Sequence, residues 1–229
     1  MTARPAPPDQ MRLPLQSELP DDATGFVVSD SNRAAFETLQ DWPNLIGGVM
    51  AICGPEGSGK SRLGQIWAER MGATAVHGAE AALIDPLEIE GRPVLLDDAM
   101  QADDETLFHL INLAQAPGGA LLLIDRPAPS AWEVRLPDLR SRLDAVISVP
   151  VEAPDDAVLA AMLETRFAER GIRPAKDMIP YLLRRIDRSA AAAAAVVERL
   201  DALHRPVTRA LAREVLEGGD PTGELFGEA

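Results

Sequence analysis

Gly54, Pro55, Glu56, Gly57, Ser58, Gly59, Lys60 and Ser61 follow the pattern G-x-x-x-x-G-K-[ST] at every required position, and the spacing has a physical reason. Glycines let successive backbone N–H groups converge on a phosphate, and the start of a following helix adds partial positive charge. Lys60 then reaches the outer phosphate oxygens and Ser61 can ligand Mg²⁺. Arg62, next in line, belongs to the same nucleotide-contacting set. Such a site needs a second element, an acid at the end of another buried strand. Val94-Leu-Leu-Asp97-Asp98 provides it, with Asp97 in the Mg²⁺ shell and Asp98 orienting water. The expected cofactors are ADP or ATP with Mg²⁺.

These groups work only if a strand precedes the loop, a helix follows it and a second strand carries the acids. The apolar run Val49–Cys53 stands before the loop and a helix is predicted from Lys60 to about Met71. Further strands are expected at 73–77, 93–96, 120–124 and 145–149, with a helix from about Asp104 to Ala114 between two of them. Continuous apolar runs without alternation mean strands buried on both faces, hence an α/β fold with a parallel sheet covered by helices. Ahead of it, a short extended piece from Phe26 leads to a helix capped near Ser31.

After Pro150 the pattern becomes helical, over 155–170, 176–186, 189–204 and 208–216, with no strand candidate. Residues 190–195 are consecutive alanines, which suit a closely packed helix. The expected organisation is therefore an arm (1–24), a nucleotide-binding αβα domain (25–152) and a helical lid (153–229). The arm is extended because Pro5, Pro7, Pro8, Pro14 and Pro20 remove backbone donors.

Composition closes off other chemistries. The chain carries net charge −14 and only 4% aromatic residues, so neither a generally cationic nucleic-acid binder nor a base-stacking platform is expected. A single cysteine, Cys53, and three scattered histidines exclude an intrachain disulfide framework and a multi-cysteine zinc site. No signal-peptide-like start or long apolar run is present, so a cytoplasmic location without a membrane partner is expected.

With the phosphate loop, the Leu-Leu-Asp-Asp strand end and a helical lid, the chain resembles the AAA+ ATPases, in the branch of the bacterial initiator DnaA. Phe26-Val27-Val28-Ser-Asp-Ser-Asn32 resembles the segment beside the adenine in that branch. Thr106–Asn112 resembles the helix after the acidic pair, Leu123-Ile-Asp125-Arg-Pro its sensor I, and Pro137-Asp-Leu-Arg-Ser-Arg142-Leu its arginine-finger region. The likeness spans about 25–217 and implies catalytic roles for Asp98, Asp125 and Arg142. It leaves no counterpart of the initiator's helicase-loading or helix-turn-helix domains, so sequence-specific DNA reading is not expected. At the aligned sensor II position stands Ala191 where the family carries arginine, which puts this chain's own ATP turnover in doubt; Arg184, Arg185 and Arg188 are candidates to substitute from the preceding turn, with a solvated basic face as their favoured reading.

In the arm, Gln10-Met-Arg-Leu13-Pro-Leu15 resembles the Q-x-x-L-x-L peptide that binds the replicative sliding clamp, with Leu13 and Leu15 as apolar anchors and Gln10 as the hydrogen-bonding residue. A clamp peptide on an isolated initiator-like module is the layout of the Hda-type regulatory inactivators. The resemblance implies a replisome-associated regulator that binds the DNA polymerase III sliding clamp and stimulates ATP hydrolysis by DnaA through Arg142, with self-assembly also open. Two other readings stand beside it: a nucleotide-locked adaptor without catalytic contribution, and a small P-loop kinase.

Overall fold

Each of five short apolar runs becomes a strand, and every neighbouring pair is parallel: β1 (Val49–Cys53), β2 (Thr74–His77), β3 (Pro93–Asp97), β4 (Ala120–Asp125) and β5 (Ile147–Pro150), in the order β2-β3-β4-β1-β5. The computed structural model describes residues 26–42 and 48–217. Register brings the three strand ends that matter to one edge of the sheet: Cys53 pairs with Asp125, Asp97 with Ile124, and His77 with Asp97.

The period of two in a strand divides the apolar residues between two cores. Ala51, Val94, Leu96, Leu121 and Leu123 face one side, with α4 (Asp104–Ala114) and α5 (Pro137–Asp144) packed over them. Met50, Ile52, Leu95, Leu122 and Ile124 face the other, under α1 (Arg33–Gln40) and α2 (Lys60–Met71). Ile52, Leu96, Leu122 and Leu123 are fully buried, each contributing about 1.5–3 kcal/mol of transfer free energy. Both faces are thus covered, as the unbroken apolar runs require.

After α3 (Pro86–Ile89) and the sheet come α6 (Asp156–Glu169), α7 (Met178–Leu182), α8 (Ala190–Ala202) and α9 (Arg209–Glu217). They enclose a separate core built on Leu159, Leu163, Phe167, Leu182, Val197 and Leu211. Within the alanine run, Ala193 is fully buried and Ala191 exposed. Ser189 caps α8 by accepting the Ala192 N–H.

Several boundaries differ from the sequence reading. Asn32, not Ser31, precedes α1, and its side chain does not cap the helix; it accepts the Ser29 N–H at 2.9 Å and donates to the Val27 carbonyl at 2.9 Å. β5 starts at Ile147 because the N–H groups of Ala145 and Val146 close the end of α5 on Arg142 and Leu143. α7 is much shorter than 176–186, since Arg185 turns back to the Leu182 carbonyl and tightens the chain. α5 and α3 were not anticipated, the first because only Leu139 and Leu143 mark its buried face and the second because one turn carries too little periodicity to read.

Candidate functional site

Between β1 and α2 the loop takes a path that side chains would block. Gly54, Gly57 and Gly59 all have positive φ. A Cβ on Gly54 would stand 2.0 Å from the Val151 carbonyl oxygen, and one on Gly57 would stand 2.8 Å from the Ala190 nitrogen. Glycine is needed at both, for conformation and for space. Lys60, only 8% exposed, donates to the carbonyls of Gly54 and Pro55 at 2.8 and 2.7 Å. Burial lowers its pKa, opposed by the carboxylates of Asp125, Asp97 and Asp98. Those three acids therefore share one electrostatic neighbourhood with the lysine. Ser58 is 3% exposed and its hydroxyl has no hydrogen-bond partner among the described residues, an orphaned donor beside the loop glycines.

Asp98 occupies the left-handed region at φ 50°, an uncommon conformation for a non-glycine residue. Its carboxylate accepts from His77 Nε2 at 3.0 Å. The Ala79 N–H donates to His77 Nδ1 at 3.3 Å, which leaves the ring hydrogen on Nε2, facing Asp98. His77 was not singled out from the sequence; only the β2–β3 register brings it here. Asp97 accepts the Asp98 N–H at 3.1 Å. Asp125 accepts the N–H groups of Met100 and Arg126, both at 2.7 Å, pinning the turn after Asp98 to the end of β4. Arg126 reaches across to Glu56 in an ion pair.

Above the loop lies a cavity of about 460 Å³, lined by Phe26, Val27, Ser58, Gly59 and Arg62 from the sheet domain and by α6 residues that include Met162 and Thr165. Val28 is buried in the core and does not line it. Phe26 stacks on Phe36, and Asn32 holds the strap around Val27. The lid closes the loop side directly: the Ala190 N–H donates to the Gly57 carbonyl at 3.2 Å. No arginine stands in the first turn of α8. Arg188 is paired with Asp156 at 2.7 Å, and Arg184, Arg185 and Arg188 are all outside the cavity lining.

The donor set fits a nucleotide phosphate tail, with a loop path only glycine allows, a buried lysine and an unpartnered hydroxyl. No group of three or more metal-ligating side chains occurs among the described residues, so a Mg²⁺ ion here would take most of its ligands from phosphates and water. Ser61 is the second residue of α2 and Asp97 the last of β3.

Arg142 stands apart from this cavity, on α5. Its guanidinium lies over the Phe108 ring, 4.9 Å from the centroid, and has no carboxylate partner among the described residues. Asp144, two residues further along α5, is paired with Arg140 at 2.7 Å. Arg140 also donates to the Trp132 and Pro129 carbonyls. Gln10, Leu13 and Leu15 lie outside the described residues. No described helix is long and apolar enough to cross a membrane.

No protein-family model matches the chain. It is 27% identical over 124 residues to the chromosomal replication initiator protein DnaA of Thermomicrobium roseum, covering 52% of this chain and 27% of that protein. It thus matches about a quarter of the initiator's length. An uncharacterized protein of Haemophilus influenzae is 29% identical over 195 residues, covering 77% of this chain and 84% of the relative. Among solved structures, domain III of the Thermotoga maritima replication initiation protein DnaA superposes with a TM-score of 0.67 at 16% identity, covering 85% of this chain and 94% of that one. A replication initiator DnaA bound to AMPPCP and single-stranded DNA gives 0.61 at 20% identity over 77% of this chain and 63% of that one. A Thermotoga maritima RuvB variant gives 0.58 at 14% identity over 82% and 68%. The fold of this chain is therefore the AAA+ fold shared by DnaA and RuvB.

Proposed function

We propose that the chain is a regulator of bacterial replication initiation of the Hda type: an AAA+ module that holds ADP or ATP with Mg²⁺, is tethered to the sliding clamp through Gln10, Leu13 and Leu15, and stimulates ATP hydrolysis by DnaA. The nucleotide's phosphates supply the negative charge that Lys60, the Ser58 hydroxyl and the loop N–H groups are arranged to bind. Phe26, Val27 and Met162 form the apolar walls that exclude water from the rest of it. Lys60 exchanges loop carbonyls for phosphate oxygens, and Asp97 with Ser61 orients the metal shell.

The observation that carries the regulatory part is the Arg142 side chain. It is ordered by Phe108, without a carboxylate partner among the described residues, and away from its own cavity, which suits a guanidinium offered to another subunit's γ-phosphate. An arginine supplied in trans contributes about 10³–10⁵ in rate. The test is DnaA ATP hydrolysis measured with this chain, with and without clamp loaded on DNA. Clamp-dependent stimulation is expected; hydrolysis unchanged by the chain under saturating clamp overturns the reading.

One observation favours a second reading, the nucleotide-locked adaptor. With Ala190 bonded to Gly57 and no arginine opening α8, the lid meets the loop at a backbone hydrogen bond, and nucleotide would serve to hold the two subdomains in register. Under that reading Arg142→Ala leaves DnaA hydrolysis as it was.

A further inference from the structure

On the lid, outside the nucleotide cavity, four exposed arginines converge on one aromatic ring. Tyr181 of α7 is 7% exposed, with Arg185 lying over its ring at 4.0 Å and Arg209 of α9 at 4.9 Å. Arg184 and Arg213 flank them, and two adjoining hollows of about 400 and 540 Å³ share Tyr181, Arg185 and Arg209 in their linings. Two carboxylates belong to the same surface: Asp177, 4.0 Å from Arg209, and Glu217, 2.9 Å from Arg213. Arg184 and Arg185 have no carboxylate partner among the described residues. The patch is therefore cationic on a chain of net charge −14.

From this patch we infer that the α7–α9 face of the lid is a binding site for the phosphodiester backbone of nucleic acid, read without regard to sequence. The chemistry of the patch selects that partner. Stacking on Tyr181 fixes two guanidiniums before anything binds, so little side-chain freedom remains to be lost, and their planar donor forks suit phosphate oxygens. The ring itself is covered by those arginines, which leaves no platform for a base and no reading of base edges. An acidic protein partner would need an apolar anchor at the centre of the contact, and the linings offer only Pro180 and Ala210 beside the buried ring. Phosphate contacts need none. Two hollows that share Tyr181, Arg185 and Arg209, each with one further arginine of its own, accommodate successive phosphates better than a single anion. The site shares no residue with the nucleotide cavity and does not rest on the reading of that cavity.

The test is fluorescence anisotropy of a labelled short DNA duplex of arbitrary sequence, titrated with the full chain. Four phosphate contacts predict a slope of log K against log salt of about −3.6, so affinity falls roughly a hundredfold between about 50 and about 200 mM salt. Arg184→Gln with Arg213→Gln should weaken binding at least tenfold at the lower salt and reduce the slope by about 1.8. Arg92→Gln with Arg135→Gln removes the same charge elsewhere and should leave binding within twofold. Superimposable far-UV circular dichroism spectra and cooperative thermal melts of all three proteins establish that the variants are folded. The inference is overturned if the wild-type chain binds no duplex at the lower salt, if both double variants weaken it alike, or if polyglutamate displaces the duplex as well as unlabelled DNA does.

Discussion

The sheet domain and the lid handle charge in opposite ways. Around the phosphate loop one cation, Lys60, is buried among Asp97, Asp98 and Asp125, and its pKa is lowered by that burial. In the lid, Arg184, Arg185, Arg209 and Arg213 are exposed and gathered around Tyr181, while Arg166, outside that cluster, lines the cavity. The sheet domain presents loop backbone and a buried ammonium; the lid contributes a wall that mixes Val158 and Met162 with Thr165, Arg166 and Glu169, and a backbone hydrogen bond to Gly57. The difference teaches that the two halves line one cavity with different chemistry. The phosphate end is determined by where the chain can bend, the lid end by what packs.

If the outward arginines act on partners and the inward lysine on the resident nucleotide, the largest effect should come from Arg142. Arg142→Ala removes a guanidinium stacked on Phe108 without opening the core, so folding and nucleotide binding persist. The stimulated single-turnover rate of DnaA hydrolysis should fall about 10³-fold, roughly 4 kcal/mol in barrier. Arg142→Lys should recover little, because an ammonium lacks the planar fork. Stimulation by the Ala variant within about threefold of wild type removes this residue from the comparison.

Next in size is the lid's dependence on packing. Phe167 is 1% exposed in the core between α6, α7 and α8. Phe167→Ala should destabilise the chain by about 3–5 kcal/mol, measured by denaturant titration, and should weaken nucleotide binding because α6 carries half the cavity wall. Lys60→Ala should do the converse. Nucleotide stabilises the folded chain by about 2.7 kcal/mol at a hundredfold excess over Kd, and that increment should vanish in thermal melts while lid packing persists. A Lys60→Ala chain still stabilised by nucleotide would show that the lid alone holds the ligand.

How much of this could be read from the residues follows the same division. The phosphate loop was legible because glycine at 54 and 57 answers a steric demand that no other residue meets, and the parallel sheet because apolar runs such as Leu121–Ile124 have no polar face. Placing Asp97 at a strand end needed only the run before it. His77 was not legible, since its bond to Asp98 depends on a register between strands separated by 3₁₀ and helical turns. Nor was the Tyr181 cluster: net charge averages over the whole chain, and Arg184, Arg185, Arg209 and Arg213 meet only after α7 packs on α9. Val28 illustrates the limit in miniature, adjacent in sequence to a cavity residue and turned into the core.

The smallest expected effect lies at Asp155, where the two regions are sewn together. Its side chain caps α6 by accepting the Val158 N–H at 3.0 Å. Burial pushes its pKa up, but hydrogen bonds from the Ser29 hydroxyl and the backbone N–H groups of Val158, Ser31 and Ala157 outweigh that and hold it below the ordinary carboxylate value. A group whose folded pKa is depressed stabilises the native state above its unfolded pKa and loses that contribution as pH falls through the lower, folded value. Stability should therefore decline on acidification below the ordinary carboxylate range, in a step that Asp155→Asn abolishes. Asparagine is nearly as good a cap, so at neutral pH the Asn variant should lose less than Asp155→Ala, for which about 1 kcal/mol is expected. Ser29→Ala should reproduce part of the Asp155→Asn effect, because the hydroxyl that favours the ionised carboxylate belongs to the strap beside the cavity and the carboxylate to the lid. Urea titrations of the three variants across acid pH measure it. An Asn variant with the same acid decline as wild type would mean that the seam between strap and lid holds without this charge.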